Sequence, residues 1–372
     1  MSSRPGCSTV SVLTHGDNRS GTCETDGVTQ IEFRSDNAAG VAPEIVQAVA
    51  DANVGSVIAY GDDPVTARLH DVVREVFEHE TACVFPVTSG TAANALALTA
   101  LCPPWGAVLC HETAHILNSE GGATSMLGGG AVMRGVGGDD FRMHTDELRA
   151  ALASVRWGDP HHSQPSVISL TSPTDMGTIY PVEEIAELAT IAAEAGAATH
   201  LDGARIANAL VALGCTPAEL TWKAGVDAVS LGCTKNGALS SEAIVVFDEA
   251  AADELVYRTK RSGHVTSKMR FQSAQVIAYL TDDLWLRLAG NSNAQMKRLA
   301  AGLEPLGVRF VNRPDVNMLF VEVGEPAARA MADAGMLFYD MGGGVIRLVT
   351  SWQTTDDDID RALDITASAL TA

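Results

Sequence analysis

Positive charge is scarce in this chain: 25 lysines and arginines face 46 aspartates and glutamates, a formal net charge of −21 over 372 residues. The acids are spread along the sequence, so neither nucleic acid nor an anionic membrane surface is an expected partner. No uninterrupted apolar run approaches the length of a membrane span. The start lacks the basic, apolar and small-residue succession of a secretory leader, which makes the cytoplasm the expected compartment. The seven cysteines are an odd number, scattered without paired metal spacing, and read as reduced thiols. Internal repeats are absent. Residues 1–30 are rich in Ser, Thr and Gly and poor in large apolar side chains, the composition of a poorly ordered tail.

A chain of this length can bury a large core and is expected to form two domains. Apolar strand candidates alternate with Ala-rich helical segments from residue 82 to 247. The strands are expected at 82–87, 107–110, 131–134, 166–171, 197–201, 226–231 and 243–247. Helices such as 90–101, 146–153 and 181–195 lie between them. Such alternation argues for an α/β fold with a mostly parallel sheet covered on both faces. Beyond residue 248 helices dominate, including a long one at 284–306. A smaller α+β unit follows, with strands at 308–311, 318–323 and 345–349 and a closing helix at 356–370. The boundary is expected near 283, giving a large domain over 31–283 and a small one over 284–372. Residues 31–53 are expected to return to the smaller lobe.

Three strand ends carry chemistry. The apolar run beginning at Val226 breaks into Gly232-Cys233-Thr234-Lys235-Asn236-Gly237, placing one lysine at the exit of a core strand. Burial there would depress the amine's pKa, which suits Schiff-base chemistry; a lysine snorkelling from a strand end is the plainer alternative. Asp202 ends another apolar run, where open α/β sheets bind ligands, though it could equally cap the helix that follows. Ser89-Gly90-Thr91 turns a strand into a helix and offers backbone N–H groups and small hydroxyls to an anion. A phosphate cradle, a carboxylate and a lysine are together what pyridoxal phosphate requires.

Seven motifs then occur in order: Ser35-Asp36-Asn37, Tyr60-Gly61-Asp62-Asp63-Pro64, Ser89-Gly90-Thr91-Ala92-Ala93-Asn94, Glu112-Thr113-Ala114-His115-Ile116, Leu201-Asp202-Gly203-Ala204-Arg205, Thr234-Lys235-Asn236-Gly237 and Ile346-Arg347-Leu348-Val349-Thr350-Ser351-Trp352. From about Ile31 onward the chain resembles the low-specificity L-threonine aldolases, fold-type I pyridoxal-phosphate enzymes grouped with β-eliminating lyases. The resemblance implies a large domain with a seven-stranded sheet and a small C-terminal domain. It implies retro-aldol cleavage of L-threonine, L-allo-threonine and related β-hydroxy-α-amino acids to glycine and an aldehyde. Lys235 would carry the pyridoxal 5'-phosphate, Asp202 would pair with its ring nitrogen, and Ser89, Gly90 and Thr91 would hold its phosphate. His115 would stack on the ring and move the substrate's hydroxyl proton, with Glu120 supporting it. Arg205 would contribute to the cofactor site and, with Arg347 and Ser35, to binding the substrate carboxylate. A homodimer or homotetramer with sites near subunit interfaces is implied as well.

Two segments depart from that pattern. Many relatives carry a second histidine where this chain reads Thr171-Ser172-Pro173-Thr174-Asp175-Met176-Gly177, which puts Asp175 or a neighbour in its place. The basic loop from Arg261 to Arg270 also differs from the Gly-rich version of many relatives. Three other functions compete. His111-Glu112-Thr113-Ala114-His115 matches the zinc-hydrolase pattern, but the pattern needs one continuous helix, and His111 directly follows a strand. No metal is expected. β-Elimination on a β-substituted amino acid is the alternative within the cofactor class. An effector-binding domain of aminotransferase type is the non-enzymatic one, disfavoured by the net charge and the lack of an appended nucleic-acid-binding module.

Overall fold

A computed structural model describes residues 30–371. The expected N-terminal tail lies outside the described residues except for Gln30. The large sheet has seven strands: β1 (Cys83–Val87), β2 (Gly106–His111), β3 (Val132–Val136), β4 (Gln164–Thr171), β5 (Ala198–Gly203), β6 (Ala228–Leu231) and β7 (Glu242–Val246). Their spatial order is β1-β7-β6-β5-β4-β2-β3. Every residue of β2, β6 and β7 is buried, which is why these strands read as unbroken apolar runs rather than alternating ones. Only β7 runs against its neighbours. The link over residues 232–241 is too short for a helical crossover, and a strand that returns so quickly must pair antiparallel.

Because β1, β2, β4, β5 and β6 share one direction, their C-terminal ends open onto the same edge of the sheet. Ser89, His115, Asp175 and Lys235 follow those ends, and Asp202 is the last residue but one of β5. Ligands of open α/β sheets bind at that edge.

The smaller unit holds an antiparallel sheet of β8 (Arg309–Phe310), β9 (Met318–Glu322), β10 (Tyr339–Gly342) and β11 (Val345–Val349), in the order β10-β11-β9-β8. Strand β10 has no counterpart in the sequence reading. All four of its residues are exposed, so it carries no apolar alternation to detect. Ile31–Glu32 pairs in parallel with Met336–Leu337, and Ile31 and Phe33 pack in the smaller core with Met296, Leu299, Leu319 and Ile346. Ala42 and Ile45 lie instead in the larger core. The long helix Leu284–Leu303 serves both: Leu284, Trp285 and Leu288 bury in the larger core, and Met296, Leu299 and Leu303 in the smaller. Its apolar positions three and four residues apart keep one stripe facing inward along its length.

Candidate active site

Lys235 sits in a single turn of 3-10 helix, Thr234–Asn236, immediately past β6. Three neighbours fix that turn. Asn236 Nδ2 donates to Tyr279 Oη (2.9 Å) and to the Trp285 carbonyl (2.8 Å), while Tyr279 Oη donates to the Gly232 carbonyl (3.1 Å). Buried Glu242 accepts the backbone N–H groups of Cys233 and Thr234. At Gly232 the chain passes so close to β5's exit that a Cβ would lie 2.2 Å from the Ala204 carbonyl oxygen, so only glycine fits. The lysine amine makes no hydrogen bond or ion pair among the described residues. Burial, then the nearby Arg205 guanidinium, lowers its pKa below the ordinary lysine value.

Asp202 lies at 2% exposure near the end of β5. Its Oδ1 accepts the Ala204 N–H (3.0 Å) and its Oδ2 accepts Asn94 Nδ2 (2.9 Å). Asn94 also donates to Glu120 Oε1 (2.8 Å), which is bonded in turn to His115 Nδ1 (2.9 Å). His115 opens the turn His115–Asn118 and keeps its ring partly exposed. The Glu120 hydrogen bond raises its pKa above the ordinary imidazole value against the opposing effect of burial, and Asp175 adds to the rise. A carboxylate at Nδ1 fixes the proton there and leaves Nε2 as the acceptor in the neutral ring.

Ser89 caps the helix Gly90–Leu101, its Oγ accepting the Ala92 N–H (3.2 Å). The first backbone bond of that helix runs from Ala93 N to the Ser89 carbonyl. The N–H groups of Gly90 and Thr91 therefore precede the ladder. A Cβ at Gly90 would meet nothing within 4 Å, so the space over the turn is open.

The arginines divide unequally. Arg205 donates from Nε to Asp36 Oδ2 (2.6 Å) and from Nη2 to Asp36 Oδ1 (2.9 Å). Burial alone would raise the Asp36 carboxyl, but the guanidinium holds it below the usual carboxylate range. Arg205 thus has one edge committed to a protein anion. Arg347 is freer: Nη2 donates to the Arg34 carbonyl (3.0 Å), its guanidinium lies 4.7 Å from the Tyr339 ring centroid, and its buried Nε has no partner. Burial and then Arg205 depress its pKa, an electrostatic stress that an incoming carboxylate would relieve. Arg347→Met should therefore weaken substrate binding by about 2–5 kcal/mol, the usual cost of truncating one member of a buried charge pair. Steady-state kinetics should show it mainly in KM; an unchanged KM would place the carboxylate elsewhere. Ser35 caps the turn Asp36–Ala38, its Oγ accepting the Asn37 N–H (3.2 Å).

Asp175 stands on a turn clamped by Thr174 and Thr178, whose hydroxyls lie 2.8 Å apart. Burial, and Asp202 among its neighbours, raises its carboxyl pKa, opposed by His115, Arg205 and Lys235. The zinc-type pattern does not form its helix. His111 ends β2, accepts the Thr113 N–H at Nδ1 (3.2 Å) and points Nε2 at the Gly138 carbonyl (3.3 Å). Sequence reasoning missed Asp36, Asn94 and Glu242 as site residues. Asn94 had a legible signal, one amide on an otherwise Ala- and Leu-rich helix; Asp36 had none, because its partner Arg205 is 169 positions away, and Glu242 had none, because nothing local marks it as the acceptor of the Cys233 and Thr234 N–H groups.

An unpartnered amine, a buried carboxylate beside it, free helix-start N–H groups and an unsatisfied guanidinium nitrogen fit pyridoxal 5'-phosphate with an amino acid. On such a sheet they define a fold-type I pyridoxal-phosphate enzyme. The model of the β-eliminating lyase family matches residues 32–326. The low specificity L-threonine aldolase of Pseudomonas aeruginosa is 40% identical over 90% of this chain and 95% of its own. That of a Pseudomonas species is 38% identical over 90% and 97%. The solved threonine aldolase of Leishmania major superposes with a TM-score of 0.85 at 26% identity, covering 91% of this chain and 99% of that one. The chain belongs to the β-eliminating lyase family, among its low-specificity L-threonine aldolases.

Proposed function

We propose that this edge of the sheet is where the enzyme performs retro-aldol cleavage of L-threonine and related β-hydroxy-α-amino acids, releasing glycine and an aldehyde with pyridoxal 5'-phosphate as cofactor. The observation that carries the site is the convergence of Lys235, Asp202 and the Glu120-bonded His115 at three parallel strand exits. When bound, the cofactor supplies an electron-accepting ring for the charge left on Cα as the Cα–Cβ bond breaks. Lys235, its pKa lowered, is the amine that holds the cofactor aldehyde. Asp202 keeps a proton on the ring nitrogen, and Ser89, Gly90 and Thr91 receive the phosphate. Arg347 grips the substrate carboxylate, with Ser35 beside it and Arg205 presenting its remaining edge. Anchoring at that point limits rotation about Cα and so selects the bond presented for cleavage. His115 takes the β-hydroxyl proton at Nε2 while Glu120 holds Nδ1–H.

A product assay on L-threonine, L-allo-threonine and phenylserine tests this reading. Glycine and aldehyde in equal amounts support it. A 2-oxo acid with ammonia would give the site to β-elimination instead.

We also propose a division into domains near residue 283, with the helix Leu284–Leu303 as the strut between two cores. Among the described residues no helix is long and apolar enough to cross a membrane, and a cytoplasmic setting is part of the proposal. Assembly is proposed as a dimer or a doubled dimer. Supporting this, Val54, Ile58, Leu239 and Tyr257 are 72%, 62%, 55% and 77% exposed. Arg270, at the end of the basic loop, donates to the Val54 and Gly55 carbonyls. Large apolar side chains left this exposed are available for burial against a second copy of the chain. Sedimentation at assay concentration should show dimer or tetramer; a fully active monomer would contradict it.

A further inference from the structure

The helix Gly90–Leu101 packs Ala93, Leu96 and Ala97 into the core, and Asn94 interrupts that apolar surface at 3% exposure. An amide has two N–H donors, and both are used. One goes to Glu120 Oε1 at 2.8 Å and the other to Asp202 Oδ2 at 2.9 Å. Both acceptors are buried carboxylates. The amide cannot be turned over, because that would set its carbonyl oxygen against two anions. As it stands, that carbonyl oxygen is buried without a partner. A residue that merely filled space would not leave such an orphan, so the donors account for the amide.

The receiving atom on Glu120 is also shared. Oε1 takes both the Asn94 N–H and the bond to His115 Nδ1, while Oε2 is buried with no partner. We propose that Asn94 is a positioning residue that ties the protonation of His115 to the charge on Asp202, by dividing one amide between the carboxylates that serve each. The inference rests on the reading of His115 as the acid–base group and Asp202 as the partner of the ring nitrogen.

The sign follows from what a donor does to a carboxylate. Hydrogen bonding to the charged form lowers its affinity for a proton. With the amide gone, Glu120 directs its charge more fully at His115 and favours the imidazolium. Asp202 likewise holds a proton on the ring nitrogen more strongly. The groups facing His115 are Glu120, Asp175 and Asp202, and all three favour its charged form while burial opposes it. Removing Asn94 therefore moves His115 further in the direction it is already shifted. A lost donor to a charged group is worth about one pKa unit. Cleavage needs the neutral ring, so the ascending limb of kcat/KM should move to higher pH by the same amount.

The test compares wild-type holoenzyme with Asn94→Ala and Asn94→Ser by 15N NMR of labelled histidine and of the labelled cofactor ring nitrogen across pH. Both nitrogens should titrate about one unit higher in Asn94→Ala. In Asn94→Ser the shift should be smaller and confined to one site, since a hydroxyl donates once. If Asn94→Ala does not fold, the serine variant decides. A folded variant with both titrations at the wild-type positions overturns the proposal. So does an Asn94→Ala in which only one of the two moves, for the amide would then serve one carboxylate alone. These titrations need no turnover. A wild-type protein that titrates as described but releases no glycine from L-threonine would overturn the functional reading and leave this one standing.

Discussion

Lys235→Ala should lose aldol cleavage by more than about 10⁴-fold, beyond the upper end of what one positioned acid–base group supplies. The visible absorbance given by cofactor joined to lysine should vanish with it. The size of the effect follows from the role proposed for this amine, attachment of the cofactor, on which every later step depends. No other lysine is a buried, unpartnered amine: Lys268 and Lys297 are exposed. Lys223 is tied to Glu78, and Lys260 lies against Tyr60, 4.6 Å from its ring centroid. Retained cleavage with the visible band intact would move the covalent role to another residue. The turn itself should survive the change, because Asn236, Tyr279 and Glu242 hold it through bonds that do not involve the lysine side chain.

His115→Phe separates the two roles proposed for that residue, stacking on the cofactor ring and moving the hydroxyl proton. A phenyl ring keeps a flat apolar surface at the same place, so the cofactor should remain bound. The proton acceptor at Nε2 is lost, and kcat should fall about 10²–10⁴-fold. In the wild-type enzyme the bond to Glu120 raises the imidazole pKa. A raised pKa means that the ring is charged over more of the neutral range, so kcat/KM should climb with pH to a plateau above the ordinary imidazole value. Flat activity through that range, or full cleavage by the phenylalanine variant, would route the proton elsewhere, with the carboxyl of Asp175 the nearest rival. Wild-type activity should also survive a chelator, because His111 and His115 lie on a strand end and a separate turn rather than on one helix face. Chelator-sensitive cleavage restored by zinc would contradict that.

Much of the frame was legible because its signals are local. The helix Gly90–Leu101 falls at its expected ends, marked by Ser89 before it and the loss of apolar spacing after it. The runs of β2, β6 and β7 are continuous because those strands are buried on both faces. What the sequence concealed depends on contacts between distant segments. Strand β10 exists because Arg347 and its neighbours offer an edge to pair with, not because Tyr339–Gly342 has strand character. The same reason separates the two arginines. Arg205 and Arg347 look alike as isolated cations near apolar residues, yet Asp36, 169 positions away, engages only the first. Asn94 stood in plain sight within a quoted motif. Its role became visible only when Glu120 and Asp202 were both found within 3 Å of one amide nitrogen.

Borohydride reduction of the holoenzyme, followed by digestion and peptide mapping, tests the central assignment most directly. Reduction makes the link between cofactor and lysine permanent, so the labelled residue is the one that held the cofactor. The label should appear on the peptide containing Thr234-Lys235-Asn236 and nowhere else. A label on Lys223, Lys260, Lys268 or Lys297 would contradict the site described above.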